Sequence, residues 1–214
     1  MALFDNGRMV ERYEEAGRSH SERLMELVAE VLATAQTNLR DLDAIAANIG
    51  PGGFTGVRVT VSVAQGLAFG AGLPAVGVSS LEALAAQVLG PPGQAVLCCL
   101  DARMAEVYWG LFTLGSDGLP QVTSAPAVSS PGSVRSPAAG ALGIGRGFTA
   151  YPQLTVLPGL SIGDAAALAL PRAAEVARLG ARRLAAGGGL DPAGLQPLYV
   201  REKVALTELE RRGR

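Results

Sequence analysis

Apolar residues along this chain recur at two different spacings, and each change of spacing marks an element. Leu24, Leu27, Val28, Val31 and Leu32 fall three and four residues apart, the stripe of a helix with one buried face. Ser19 followed by Glu22 opens that stripe as a capping box, so a helix is expected over about residues 20 to 35. Ahead of it, Ala2-Leu3-Phe4 and Met9-Val10-Glu11-Arg12-Tyr13 flank Asp5-Asn6-Gly7 and read as two short strands around an Asn-Gly turn. Asp43 to Ile49 is an apolar run of strand length that empties into glycines. A second helix then runs over about Thr55 to Phe69 and is ended by Gly70 and Gly72. Ala75-Val76-Gly77-Val78 is a further strand, and Ser80 opens a third helix through Leu89.

Helices alternating with apolar strands argue for an α/β unit with crossover connections over residues 1–90. Gly90-Pro91-Pro92-Gly93 can continue neither kind of element and separates it from a smaller α/β unit over 91–214. There, Ala95–Leu100 and Glu106–Leu114 read as a hairpin around Asp101-Ala102-Arg103-Met104. A Pro/Ser/Gly-rich connection over 115–140 holds at most one strand, and a short strand follows at Leu142–Gly145. Helices over about 163 to 170 and 172 to 186 complete the unit.

Charge adds little attraction for nucleic acid. The net charge is −1, and the basic residues of the tail (Arg201, Lys203, Arg211, Arg212, Arg214) alternate with Glu202, Glu208 and Glu210. Contact with RNA would therefore depend on a partner. Cys98 and Cys99 sit side by side in an apolar run, as small buried hydrophobes of a reducing compartment do. With one histidine, they supply too few ligands for a zinc site. The chain carries neither a signal-peptide pattern nor an apolar run of membrane-spanning length, so a cytoplasmic protein is expected.

The stretch richest in candidate chemistry is Asn48-Ile49-Gly50-Pro51-Gly52-Gly53-Phe54-Thr55-Gly56-Val57-Arg58. A glycine turn that restarts as a helix leaves backbone N–H groups free for a phosphate or carboxylate, so Gly52, Gly53 and Thr55 are candidate anion or nucleotide contacts. It is not a Walker loop, because the only lysine is the distant Lys203. Nor is it a dinucleotide fingerprint, because Thr55 stands where the third glycine belongs. Close strand–helix packing is the competing reading of the same glycines.

Side chains for catalysis are scarce. His20 is the only imidazole, and the first turn of a helix disfavours its charged form. Asp101, Arg103 and Glu106 read first as hairpin-turn chemistry and second as a nucleotide or partner contact.

Four motifs in order carry a family resemblance: Ser19-His20-Ser21-Glu22; Gly50 through Arg58; Leu100-Asp101-Ala102-Arg103 with Glu106-Val107-Tyr108; and Pro197-Leu198-Tyr199-Val200-Arg201. Together they span nearly the whole chain and resemble the TsaB (YeaZ) family. The resemblance implies an actin-like ATPase fold of two ribonuclease-H-like halves. It implies a non-catalytic subunit that binds and activates the catalytic paralogue TsaD, with the ATPase TsaE joining the assembly. The product is N6-threonylcarbamoyladenosine at position 37 of tRNAs reading codons that begin with A. Within that assembly tRNA is met through the complex, no cofactor is intrinsic, and ATP or ADP belongs at the partner interface. The paralogue's metal-holding His-x-x-x-His corresponds here to Ser80 through Leu84, and leucine ligates no metal. The same comparison removes the peptidase reading attached to this superfamily.

One departure stands out. The family's first strand, an apolar run ending in Asp-Thr, has no counterpart, and Met1 falls where the second strand is already under way. That strand is bonded on both edges, so its loss would open two rows of backbone groups. Either the start is placed too late or the fold is compromised.

The two leading helices carry more apolar and small residues than one core face requires. Val59, Val63 and Gly66 fall on a different side of the second helix from Val57, Val61, Ala64 and Ala68. Burial by sheet and neighbouring helices on both sides explains this, and so does an exposed interface. The resemblance favours an interface formed by Leu24, Leu27, Val31, Val59, Val63 and Gly66, joining two copies or this chain and TsaD. The alternative of another class is a stand-alone ATP-binding phosphotransferase or hydrolase using the Gly52–Thr55 amides and Asp101.

Overall fold

The computed structural model describes residues 1–14, 20–135, 137 and 139–201. The chain opens with an antiparallel hairpin, β1 (Ala2–Asp5) and β2 (Arg8–Glu11). Asn6 and Gly7 hold its two-residue turn at φ 45° and 90°, the left-handed pair that such a turn needs. Helix α1 (His20–Ala35) follows; the expected Ser19–Glu22 cap lies outside the described residues and side chains.

Strand β3 (Ile45–Asn48) pairs in parallel with β4 (Ala75–Val78), and α2 (Phe54–Ala71) is the crossover between them. Gly72, at φ 71°, ends α2 in the left-handed conformation that favours glycine. Helix α3 (Ser80–Ala85) is shorter than the expected 80–89. Its cap is Ser79: the Ser79 hydroxyl accepts from the Glu82 amide at 3.1 Å, and the Glu82 carboxylate accepts from the Ser79 amide at 3.2 Å.

The second half is built on a five-stranded sheet. Strands β5 (Ala95–Asp101), β6 (Val107–Leu114) and β7 (Pro120–Ser129) form a meander. Strands β8 (Ala141–Ile144) and β9 (Leu160–Ser161) extend it in parallel, giving the order β7-β6-β5-β8-β9. The Pro/Ser/Gly-rich connection thus holds a ten-residue strand. β7 lies at the sheet edge, where Pro120 and exposed polar residues are tolerated.

Successive β5 side chains enter opposite cores. Val96, Cys98 and Leu100 pack with Leu81, Leu84 and Phe112, whereas Leu97 and Cys99 pack with Trp109, Phe148 and Leu154. Helix α4 (Gly147–Ala150) closes the second face. Its approach depends on glycine, since a Cβ on Gly145 would lie 2.2 Å from the Cys99 carbonyl oxygen.

Helix α5 (Asp164–Ala167) stops short of Pro171, and α6 (Ala173–Ala185) begins just after it. α6 then turns back across residue 90 to the first half, where it packs on both β1 and β3. Gly180 makes the contact close, since a Cβ there would meet that of Ala46 at 2.5 Å. α2 covers the opposite face of β3, with Val61 and Ala64 on Ala47. Arg183 of α6 fastens this layer by donating to the Gly77 carbonyl and the Glu82 carboxylate.

Among the described residues no strand lies between β1 and β3. A cavity of about 510 Å³ occupies that place.

Candidate functional site

The glycine loop is built from the end of β3. The Asn48 Oδ1 accepts from the Gly50 amide at 2.9 Å and the Ser80 hydroxyl at 2.8 Å, and the Ser80 amide donates to the Gly50 carbonyl at 2.7 Å. Gly50 sits at φ 98° with Val57 and the Leu198 carbonyl around its α-carbon, so close packing accounts for this glycine. Gly52, Gly53 and Thr55 are exposed. Gly53 caps α2 without a side chain, and the amides of Gly53, Phe54, Thr55 and Gly56 meet no acceptor among the described residues. Their donor chemistry fits an anion oxygen. The nearby cation is engaged elsewhere: the Arg58 guanidinium stacks 3.6 Å from the Phe54 ring centroid, and its Nε donates to the Tyr199 hydroxyl at 2.9 Å.

The terminal segment brings three of the sequence motifs together. The Leu198 amide donates to the Ile49 carbonyl at 2.8 Å, and Tyr199 meets Arg58. Arg201 reaches the hairpin turn, donating to the Ala102 carbonyl at 3.0 Å and to the Glu106 carboxylate. In that turn Arg103, Met104 and Ala105 all have positive φ. Asp101 accepts from the Arg103 amide at 2.8 Å and the Tyr151 hydroxyl at 3.1 Å. Burial first, and then this bond to Asp101, raise the Tyr151 phenol above its ordinary pKa. Asp101 therefore organises a turn, and Pro197–Arg201 staples the first half to the second.

The candidate interface residues divide. Val31 is only 3% exposed and faces the cavity together with Leu24 and Val63, so Val31 offers a partner no surface. Its position on the inward stripe explains this, since residues 24, 28, 31 and 35 share one side of α1. Leu27 and Val59 are half-buried, and Gly66 is open, with nothing within 4 Å of a built Cβ. The outer side of α2 runs Val59, Ser62, Gly66, Phe69, and Phe69 is 83% exposed. Met25, Ala29 and Ala33 form a matching exposed stripe on α1. Neither Phe69 nor Met25 is among the residues the sequence singles out, although extending the spacing from Val59 through i+3 and i+7 to i+10 reaches Phe69.

Groups with nucleophilic or metal-binding potential are otherwise occupied. Burial pushes both the Cys98 and Cys99 thiols up, which keeps them protonated and unreactive. Leu84 lies wholly within the core, and Ser80 is bonded to Asn48. The described residues contain no group of three or more His, Cys, Asp or Glu side chains suited to a metal, and no helix long and apolar enough to cross a membrane. The His20 side chain lies outside the described ones.

Known proteins share this architecture. The family profile of TsaD, tRNA N6-adenosine threonylcarbamoyltransferase, matches residues 13–206. TsaB of Escherichia coli K12, a tRNA threonylcarbamoyladenosine biosynthesis protein, is 35% identical over 214 residues, spanning 98% of this chain and 92% of its own. The Haemophilus influenzae TsaB is 42% identical over 110 residues, 51% of this chain and 47% of its own. YeaZ from Pseudomonas aeruginosa superposes with a TM-score of 0.82 at 35% identity, covering 92% of each chain. A second P. aeruginosa structure, of a protein described as similar to the peptidase YeaZ, gives 0.84 at 36% identity, covering 94% of this chain and 93% of that one. With this agreement in sequence and in an actin-like α/β fold, the chain belongs to the TsaB (YeaZ) family.

Proposed function

We propose that this chain is a non-catalytic subunit in the biosynthesis of tRNA threonylcarbamoyladenosine, one that binds and activates a TsaD-like catalytic paralogue. The observation that carries the reading is the outer face of α2, where exposed Phe69 stands beside the open backbone of Gly66. A large aromatic next to a glycine on a helix is a knob beside a hole, and a second helix fits it. Val59 and the Met25–Ala29–Ala33 stripe of α1 extend the same kind of surface. Two copies of this chain would use it in the absence of the paralogue. A TsaE-like ATPase and tRNA join through the complex, and the open amides at the start of α2 suit a nucleotide phosphate held at the partner interface.

The test mixes the purified chain with a TsaD-like subunit and measures binding and threonylcarbamoyl transfer to tRNA. The chain alone transfers nothing and turns over no ATP, whereas adding it to the paralogue raises transfer. Phe69→Glu weakens binding by about tenfold or more. Robust activity by the chain alone would overturn the proposal, and so would indifference of the paralogue to its presence.

A further inference from the structure

The turn between β5 and β6 holds a conformation that its own residues disfavour. The Glu106 amide donates to the Arg103 carbonyl at 3.0 Å and the Ala102 amide to the Glu106 carbonyl at 3.0 Å, so Met104 and Ala105 are the central residues of a tight hairpin turn. Both have φ 57°, and Arg103 ahead of them has φ 61°. The hairpin turn between β1 and β2 meets the same left-handed demand with Asn6-Gly7, the pair suited to it. Met and Ala each crowd a Cβ against the backbone there, and neither has a short polar side chain to offset the cost. Three consecutive residues of this kind persist only where the surroundings over-determine them.

The restraints come from distant parts of the chain. Asp101 fixes the entry to the turn, accepting from the Arg103 amide at 2.8 Å and the Tyr151 hydroxyl at 3.1 Å. Arg201 fixes the remainder: it donates to the Ala102 carbonyl at 3.0 Å and to the Glu106 carboxylate, and its Nη1 lies 3.7 Å from the Met104 sulfur. Its side chain is 16% exposed, yet the buried Nε meets no acceptor among the described residues. A guanidinium seated with a donor unsatisfied is held less tightly than a fully bonded one. The segment that carries it runs along α2, where the Leu195 carbonyl accepts from the Gln65 side chain at 3.0 Å and the Tyr199 hydroxyl from Arg58 at 2.9 Å. The same few residues therefore touch α2 at one end and the strained turn at the other.

We propose that Arg201 is the latch of a conformational switch: while residues 195–201 lie along α2, Arg201 keeps the Arg103–Ala105 turn left-handed, and displacing that segment from α2 releases the turn. The coupling is reciprocal, so whatever grips the latched turn also tightens the segment on α2. The switch is internal to the chain and stands apart from paralogue binding.

The test is hydrogen exchange of the Ala102, Arg103 and Glu106 amides in the full chain. Arg201→Ala speeds their exchange by about tenfold or more, and Tyr199→Leu, which loosens the segment at α2 without touching the turn, speeds it about threefold. β6 keeps its protection in both variants, which separates release of the turn from general unfolding. Met104→Asn with Ala105→Gly gives the turn residues that favour it unaided, and in that background Arg201→Ala leaves the exchange unchanged. Acceleration that persists in the Asn-Gly background would make Arg201 an ordinary tie rather than a restraint on strain, and would overturn the proposal. No acceleration from Arg201→Ala, none from Tyr199→Leu, or equal acceleration throughout β6 would do the same.

Discussion

The two halves bury strands between helices in the same layered manner, yet among the described residues only the second has a continuous ladder. In the second half, β5 is paired on both edges, and Val96, Leu97, Cys98 and Cys99 have no exposed surface. In the first half, two pairs of four-residue strands stand on either side of a cavity of about 510 Å³. The second half is held by its sheet, with α3 of the first half packed on one face. The first depends on what crosses it: α6 beneath both strand pairs, Arg183 fastening Gly77 to Glu82, and the terminal segment bonded to Ile49.

That contrast can be broken by substitution. Phe112→Ala, at a site 1% exposed in the continuous core, costs about 3–5 kcal/mol and lowers the thermal midpoint by roughly 10 °C. Val31→Ala, beside the existing cavity, costs only about 1 kcal/mol because little packing is lost on that side. Equal losses in calorimetry would refute the asymmetry. Between them comes Arg183→Met, which strands the nearly buried Glu82 carboxylate at a cost of about 2–3 kcal/mol. Hydrogen exchange should speed up in β3 and β4 while β5 and β6 keep their protection.

The smallest effects are pH-dependent and opposite in sign. The Arg172 guanidinium, hydrogen-bonded to Glu11 at 2.8 Å, holds that carboxyl below its ordinary value of 4.5. The pairing therefore stabilises above that pH and is lost as pH falls through the depressed folded value. Burial raises the Glu175 carboxyl, so this residue destabilises at neutral pH and the penalty is relieved as pH falls through its raised value. Glu11→Gln should lower the midpoint at pH 7 by a degree or two, and Glu175→Gln should raise it by roughly as much. Both variants converge on the parent in strong acid. Midpoints that differ from the parent equally at pH 7 and in strong acid would show that neither carboxyl titrates as described.

Much of the fold was legible along the chain. The Asn6-Gly7 hairpin, the stripes of α1 and α2, the β3–glycine–α2 unit and the β5–β6 hairpin all follow from local spacing. β7 was obscured because an edge strand tolerates prolines and polar residues, which elsewhere signal a loop. Of the candidate site, the position of the loop ahead of α2 was readable; Val59 and Gly66 lie on the outer side of that helix, whereas Val63 lines the cavity. Val31 was assigned to the wrong surface, because periodicity places residues on one side of a helix without saying which side meets solvent.

What the sequence determined by itself is whatever rests on neighbours three or four places apart: caps, turns, helix faces and strand lengths. Tertiary structure alone decided that α6 returns to the first half and that Tyr199 and Arg201 join the glycine loop to the Asp101 turn. Those contacts link residues about a hundred positions or more apart, and no local interaction encodes them.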